Sequence, residues 1–176
     1  VVRLLMEAAI SPDVSEIRLT QYRVAENSSI ISALEAAAQS GKKVSVFVEL
    51  KARFDEENNL RLSERMRRSG IRIVYSMPGL KVHAKTALIL YHTPAGERPQ
   101  GIALLSTGNF NETTARIYSD TTLMTANTDI VHDVYRLFRI LDGDPEPARF
   151  SRLLVARYNM GEAITNLIER EIENVK

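Results

Sequence analysis

The chain of 176 residues is long enough for one domain with a substantial core and too short for two comfortable ones. Its 44% hydrophobic and 26% charged residues are typical of a globular protein, and a net charge of +1 gives no global basic field that would indicate nucleic-acid binding. The absence of cysteine excludes disulfide scaffolds and thiolate metal sites, and no apolar run is long enough to span a membrane. Because the chain opens with "VVRLLMEAAI" and not with Met, we expect it to be a piece of a longer protein.

Apolar periodicity and turn residues predict alternating helices and strands. The first half contains a predicted helix over 2–9, a strand over 15–23, a helix over 28–40 capped by Asn27 or Ser28 and ended by Gly41, a strand over 42–50, a helix from "ARFDEENN" to Gly70 and a strand over 71–76. The second half contains strands over 81–92, 102–107 and 120–126, a loop with some helical tendency over 108–118, and helices over 129–142 and 160–175. This alternation predicts a single α/β domain with a mainly parallel or mixed sheet covered by helices on both faces.

The stretch "GLKVHAKTALIL" at 79–90 places polar side chains at the start of an apolar strand. Residues two apart on a strand share a face, so Lys81, His83 and Lys85 are expected to line one side of its entry. A neutral imidazole there can act as a nucleophile, and two lysines can hold an anionic substrate. An isolated H-x-K pattern is more often an exposed strand-edge histidine between solvated lysines.

Two further stretches carry candidate anion-binding residues. "STGNFNETTAR" at 106–116 combines Gly108 with Asn109 and Asn111, which is compatible with a cradle of backbone N–H groups or with an ordinary Asn/Gly turn. Arg23 and Arg53 each stand at or just past the end of a predicted strand, and a guanidinium presents the paired donors that phosphate recognition requires. The acidic residues at 55–57 can reach Mg²⁺, but capping and dipole compensation at a helix start explain them better. His92 and His132 have no partner within their own elements and are interpreted as structural.

Three separated blocks, "LTQYRVAENSSIISALEAAAQSGKKVSVFVELKARFDEENN", "GLKVHAK" and "TGNFNETTARIYSD", resemble the first C-terminal domain of the bacterial polyphosphate kinases. The architecture of those domains is similar to phospholipase D folds. The resemblance covers nearly the whole chain and implies one phospholipase D-like domain over 1–176. The N-terminal, helical and second C-terminal domains of the full enzymes would then lie outside this chain.

The resemblance implies a role for each of three positively charged or nucleophilic residues. His83 in "KVHAK" matches the histidine that becomes phosphorylated. Arg23 in "YRVA" and Arg53 in "KARFDEENN" match arginines of the magnesium–phosphate site. Since a guanidinium has no lone pair to give to a cation, these arginines are expected to hold the phosphates that Mg²⁺ bridges.

Further roles follow from the same resemblance. Tyr118 in "ARIYSD" matches a nucleotide-contacting tyrosine, and Lys85 and Asn109 occupy the positions of the H-x-K lysine and its downstream asparagine. The implied activity is reversible transfer of the terminal phosphate of ATP to polyphosphate, with Mg²⁺ as cofactor and ATP, ADP and polyphosphate as ligands. The parent chain is expected to be a homo-oligomer, cytoplasmic or peripheral at the membrane, and this piece alone is expected to be inactive.

Two departures from the family pattern leave alternatives open. Leu104 stands at or near a position where members commonly carry a second histidine, so a decayed polyanion- or nucleotide-binding module is one alternative. A phospholipase D-like phosphodiesterase or nuclease that dimerises to pair two H-x-K motifs is another. Leu90 counts against the second, because a phospholipase D proper would have an aspartate there.

Overall fold

In this computed structural model the described residues are 1–22, 27–49, 56–76, 81–144 and 149–175, with only the backbone described for 56–58. The helices are α1 (Val2–Ile10), α2 (Ser29–Gln39), α3 (Glu56–Arg68), α4 (Thr128–Leu141) and α5 (Met160–Asn174), with a 3₁₀ turn at Thr114–Arg116. The strands are β1 (Val14–Gln21), β2 (Lys43–Val48), β3 (Arg72–Tyr75), β4 (Lys85–Tyr91), β5 (Gly101–Ser106) and β6 (Thr122–Thr125). The predicted element order is confirmed throughout this described part of the chain.

Within the described ranges the strands form one six-stranded sheet of order β3-β2-β1-β4-β5-β6. β1, β2 and β3 run parallel to one another, whereas β4 runs antiparallel to β1, and β5 and β6 continue antiparallel. The parallel half is joined by helices, as parallel pairing requires, and β4 and β5 are joined by the turn over 92–100. The sheet is therefore mixed, as the alternation of elements predicted.

Both faces of the sheet are buried under helices, which explains why its central strands are apolar throughout. On β4, Ala87 and Ile89 pack on the side of α1, α2 and α3, while Leu88 and Leu90 pack on the side of α4. All four side chains are at most 5% exposed. The prediction of helices on both faces is confirmed.

Local signals fix several helix ends. Ser28 caps α2, and its Oγ accepts a hydrogen bond from the backbone N–H of Ile31. Asn127 caps α4 through the N–H groups of Asp129 and Ile130. None of the described helices combines the length and apolar character that crossing a membrane requires.

Candidate active site

The ends of several strands meet at one edge of the sheet, which we call the carboxyl edge. β1, β2 and β3 end there at Gln21, Val48 and Tyr75. β4 begins at the same edge, where its first residue, Lys85, pairs with Ser106 at the end of β5. Because binding crevices of open α/β sheets form at the carboxyl ends of their parallel strands, this edge is where the candidate residues must be sought.

His83 lies on the carboxyl edge in the segment 81–84, before β4 begins at Lys85. The predicted strand over 81–92 is therefore wrong at its start, because the N–H of Val82 donates to the side-chain carboxylate of Glu49 at 2.9 Å. The His83 ring meets the Tyr22 ring edge-on, with centroids 5.6 Å apart and planes at 80°. The rest of the side chain is exposed, so a substrate can reach the imidazole.

Two ammonium groups share the same tyrosine. The Nζ atoms of Lys81 and Lys85 lie 5.6 Å and 5.4 Å from the centroid of the Tyr22 ring. Lys85 is only 8% exposed, and its Nζ donates to the backbone carbonyl of His83 at 2.6 Å. The aromatic face therefore gathers both cations beside the imidazole. The predicted grouping of Lys81, His83 and Lys85 is found, although the segment is not a strand.

The electrostatic surroundings favour a neutral His83. Its pKa is lowered chiefly by partial desolvation and further by the charges of Lys85 and Lys81. Although the residue is exposed overall, the contact with Tyr22 removes water from one side of the ring. The imidazole is consequently neutral near pH 7, the state in which one ring nitrogen offers a lone pair.

Burial and a nearby carboxylate have opposite effects on the pKa of Lys85. Burial lowers the pKa of Lys85, the nearby Asp120 carboxylate raises it, and Lys81 lowers it. Asp120 itself accepts a hydrogen bond from Thr107 Oγ1 at 3.0 Å. A Cβ on Gly108 would lie 1.9 Å from Asp120 Oδ2, so a larger residue there would displace the Asp120 side chain.

Asn109 follows β5 at the carboxyl edge and presents an unusual polar atom. Its Oδ1 is buried and has no hydrogen-bond partner. Buried polar atoms are nearly always paired, so the unpaired oxygen marks Asn109 as an unusual side chain at this edge. Of the two interpretations left open for this stretch, the ordinary Asn/Gly turn fits better, because the N–H of Gly108 donates to Ser106 Oγ and that of Asn111 to the carbonyl of Asn109.

The loop that carries Asn109 is attached to the start of α2. Glu112 accepts hydrogen bonds from Ser28 Oγ at 3.0 Å and from the backbone N–H of Ile30 at 3.0 Å. A carboxylate at a helix N-terminus also compensates the helix dipole. Glu112 therefore fixes one end of the loop over 107–121 against the helical layer.

The remaining predicted site residues are distributed as follows. Tyr118 lies in the loop that leads to β6, with 66% of its surface exposed and its N–H donated to the carbonyl of Thr114. Arg23 and Arg53 lie outside the described residues, and their assignment stays a prediction. Tyr22 and Asp120 were missed by sequence reasoning. The position of Tyr22 at the end of a strand, directly before Arg23, was the available signal for the first.

Leu104 and Leu90, the two departures from the family pattern, are both buried core residues. Leu104 is 2% exposed and packs in the core shared by α1, α2 and α3, so this position does not belong to the site. Leu90 is 5% exposed and packs against α4, at the far end of β4 from His83. An apolar core residue therefore occupies the place where a phospholipase D aspartate would stand.

Residues 1–147 match the family model described as polyphosphate kinase C-terminal domain 1. The chain belongs to this family. It is 42% identical over 176 residues to the polyphosphate kinases of Salmonella typhimurium strain LT2 and Escherichia coli strain K12, covering all of this chain and 25% of each relative. The chain thus spans about a quarter of the length of these curated relatives. The family resemblance inferred from the sequence is confirmed.

Solved structures agree with this membership. The crystal structure of polyphosphate kinase from Porphyromonas gingivalis is 98% identical, has a TM-score of 0.90, and covers 99% of this chain and 26% of that one. A phospholipase D family member, Nuc from Salmonella typhimurium, has a TM-score of 0.61 at 16% identity, over 84% of this chain and 90% of that one. The second likeness shows the fold alone and confirms the predicted phospholipase D-like architecture.

Proteins bind Mg²⁺ through oxygen ligands, chiefly carboxylates. No cluster of three or more His, Cys, Asp or Glu side chains that could hold a metal occurs among the described residues. The groups that do gather around His83 are ammonium ions, which suit phosphate oxygens and repel a cation. These residues do not fit direct metal ligation.

Proposed function

We propose that this domain carries the phosphohistidine of an ATP–polyphosphate phosphotransferase, with His83 as the nucleophile. The observation that carries the proposal is the grouping of a neutral, accessible imidazole with two lysines around Tyr22. This grouping supplies a lone pair and positive charge in the same place. Membership of the polyphosphate kinase family supplies the class of substrate.

In the proposed first step, a ring nitrogen of His83 attacks the terminal phosphorus of ATP. A phosphorus–nitrogen bond forms, the bond between that phosphorus and the bridging oxygen breaks, and ADP leaves with the electron pair. In the second step a terminal oxygen of polyphosphate attacks the same phosphorus, and the phosphorus–nitrogen bond breaks to regenerate the imidazole. Two steps through a covalent intermediate replace one difficult transfer, and each step is reversible.

Lys81, Lys85 and Asn109 are proposed to act on the phosphoryl group. The lysine ammonium groups stabilise the charge that spreads over the equatorial oxygens during transfer, and the buried Lys85 does so where little water competes. The Asn109 side chain has an amide with a buried, unpaired oxygen, and its Nδ2 can donate to a phosphate oxygen. Tyr118, which is largely exposed, is proposed to contact the nucleotide.

Arg23 and Arg53 complete the proposal as phosphate-binding residues, with Mg²⁺ arriving on the phosphates they hold. The full protein would bind ATP, ADP and polyphosphate between this domain and the other domains of the parent chain. We propose that the parent is a homo-oligomer and that this domain alone turns over little or no substrate, because a phospholipase D-like site is built between two such domains.

The test is phosphoenzyme formation in a full-length protein that carries this domain. Incubation with ATP labelled on its terminal phosphate should yield label that is lost in acid and retained in alkali, as for a phosphohistidine. His83→Gln should lower labelling and polyphosphate synthesis by more than about 10³-fold, because the nucleophile is removed. His92→Gln, at the opposite end of β4, is the matched control and should label normally.

Three results would contradict this function. Full labelling of His83→Gln would place the phosphoryl group elsewhere. Nucleotide or polyphosphate binding without any label would support a binding module instead. Hydrolysis of a chromogenic phosphodiester that depends on His83 would support the phosphodiesterase reading, against which the buried Leu90 counts.

A further inference from the structure

A buried carboxylate lies directly beneath the segment that carries His83. Glu49 follows the last residue of β2 and is only 1% exposed. Burying an ionised carboxylate costs several kcal/mol unless hydrogen bonds compensate, so its contacts should reveal its purpose. Glu49 has no role in the proposed phosphoryl-transfer steps, and it is not among the site residues predicted from the sequence.

The two carboxylate oxygens of Glu49 bind both ends of the connection between β3 and β4. Oε1 accepts a hydrogen bond from Ser76 Oγ at 3.0 Å, directly after β3. Oε2 accepts one from the backbone N–H of Val82 at 2.9 Å, in the residue before His83. The carboxylate therefore fixes the position of the backbone N–H of Val82. Val82 directly precedes His83, the residue that carries the imidazole.

The backbone of Glu49 is in turn linked to the chain segment that ends in Tyr22, the residue whose ring contacts His83. Its N–H donates to the carbonyl of Gln21 at 3.0 Å. Asn59 on α3 donates from Nδ2 to the carbonyl of Glu49 at 3.3 Å and to that of Tyr22 at 3.2 Å. The two supports of the imidazole, the Val82 peptide and the Tyr22 ring, are thus connected through Glu49 and Asn59.

We propose that Glu49 is a positioning residue for His83: its buried carboxylate fixes the Val82 peptide and so holds the imidazole for attack on the phosphoryl group. This inference rests on the proposed function of His83. The effect is geometric. The groups that lower the pKa of His83 are its desolvation, Lys85 and Lys81, and the Glu49 charge is not among them.

Two conservative substitutions separate the effect of the length of the Glu49 side chain from the effect of its charge. Glu49→Gln keeps the reach: its amide oxygen can accept the Val82 N–H, and its NH₂ can donate to Ser76 Oγ. Its single-turnover rate of His83 phosphorylation at saturating ATP should stay within about threefold of wild type. Glu49→Asp keeps the charge but is one methylene shorter, and its rate should fall roughly 10- to 100-fold with an unchanged KM for ATP.

Asp133 provides the matched control. It is a fully buried carboxylate on α4 that accepts hydrogen bonds from the backbone N–H groups of Ser151, Arg152 and Leu153. Asp133→Asn should lower the unfolding temperature and leave the phosphorylation rate unchanged, since no part of the carboxyl edge depends on it. Hydrogen exchange in the full-length protein should speed up around 81–84 in Glu49→Asp and around 151–153 in Asp133→Asn.

The possible outcomes distinguish this inference from the function beneath it. If His83→Gln labels normally, the proposed function is wrong. If His83→Gln is not labelled and Glu49→Asp is phosphorylated at the wild-type rate, the proposed function stands and the positioning role of Glu49 is wrong. If Glu49→Gln were not phosphorylated and Glu49→Asp were phosphorylated normally, the charge of the side chain would matter and its length would not. An equal loss of rate in Asp133→Asn would reduce Glu49 to a stabilising role.

Discussion

The two ends of β4 each carry a histidine, and the surroundings of His83 and His92 differ in kind. At the carboxyl edge, His83 lies against Tyr22 with two lysines nearby and a buried carboxylate beneath its segment. At the opposite edge the backbone N–H of His92 donates to the carbonyl of Asp13, and its side chain is exposed. We call this opposite edge the amino edge, since β1 and β2 begin there.

Polar groups at the amino edge form hydrogen bonds with one another, whereas one buried polar atom at the carboxyl edge has no partner. Ser15 Oγ donates to the carbonyls of Leu90 and Tyr91, and Lys42 Nζ donates to the carbonyl of Ser11. At the carboxyl edge the buried Oδ1 of Asn109 has no partner. A histidine becomes a candidate nucleophile through such surroundings, and its residue type alone says little.

The largest effect after loss of His83 is expected for Lys85, one of two lysines whose Nζ donates to a backbone carbonyl. Lys85→Met should lower the phosphorylation rate by about 10²-fold, because a preorganised charge at the phosphoryl group is removed. Lys42→Met at the amino edge breaks a hydrogen bond of the same kind and should leave the rate unchanged. Equal phosphorylation rates for the two variants in single-turnover assays would contradict a specific role for Lys85 at the carboxyl edge.

Asn109 and Asn127 should respond in opposite ways. Asn109→Ala should slow phosphorylation roughly 10-fold without lowering the unfolding temperature, since it removes a buried oxygen that is unpaired in the free protein. Asn127→Ala removes the cap of α4 and should cost about 1 kcal/mol of stability with no change in rate. Calorimetry and labelling on the same samples would measure both. A destabilised Asn109→Ala would mean that its amide serves the fold.

The smallest effect is a shift in pH dependence. Because the pKa of His83 is lowered, its phosphorylation should be pH-independent near neutrality and fall as pH drops through that lowered value. Lys81→Met removes one of the charges that disfavour protonation, so the acidic limb should move to higher pH. Lys43→Met, an exposed lysine at the amino edge, should leave it in place. An unmoved limb in Lys81→Met would show that Lys81 does not act on the imidazole.

Much of the fold and of the candidate site could be predicted from the sequence. The predictions that were wrong or missing share one cause, which is hydrogen bonding between residues far apart in the chain. The segment over 81–84 reads as strand because Val82 and Ala84 alternate with polar residues, yet its N–H group at Val82 pairs with Glu49, a residue 33 positions away. Glu49 itself looked like the end of an apolar strand. Its role depends on Ser76 and Val82, which only the folded sheet brings to it.

The sequence by itself determined the order of elements, the mixed sheet with helices on both faces, and the family, because periodicity, caps and motif blocks are local properties of the chain. Only the tertiary structure decided that Tyr22 gathers Lys81, His83 and Lys85, that Leu104 belongs to the core, and that Glu49 lies under the nucleophile. These relations join residues far apart in sequence, and long-range packing and hydrogen bonding become visible only when the strand ends meet.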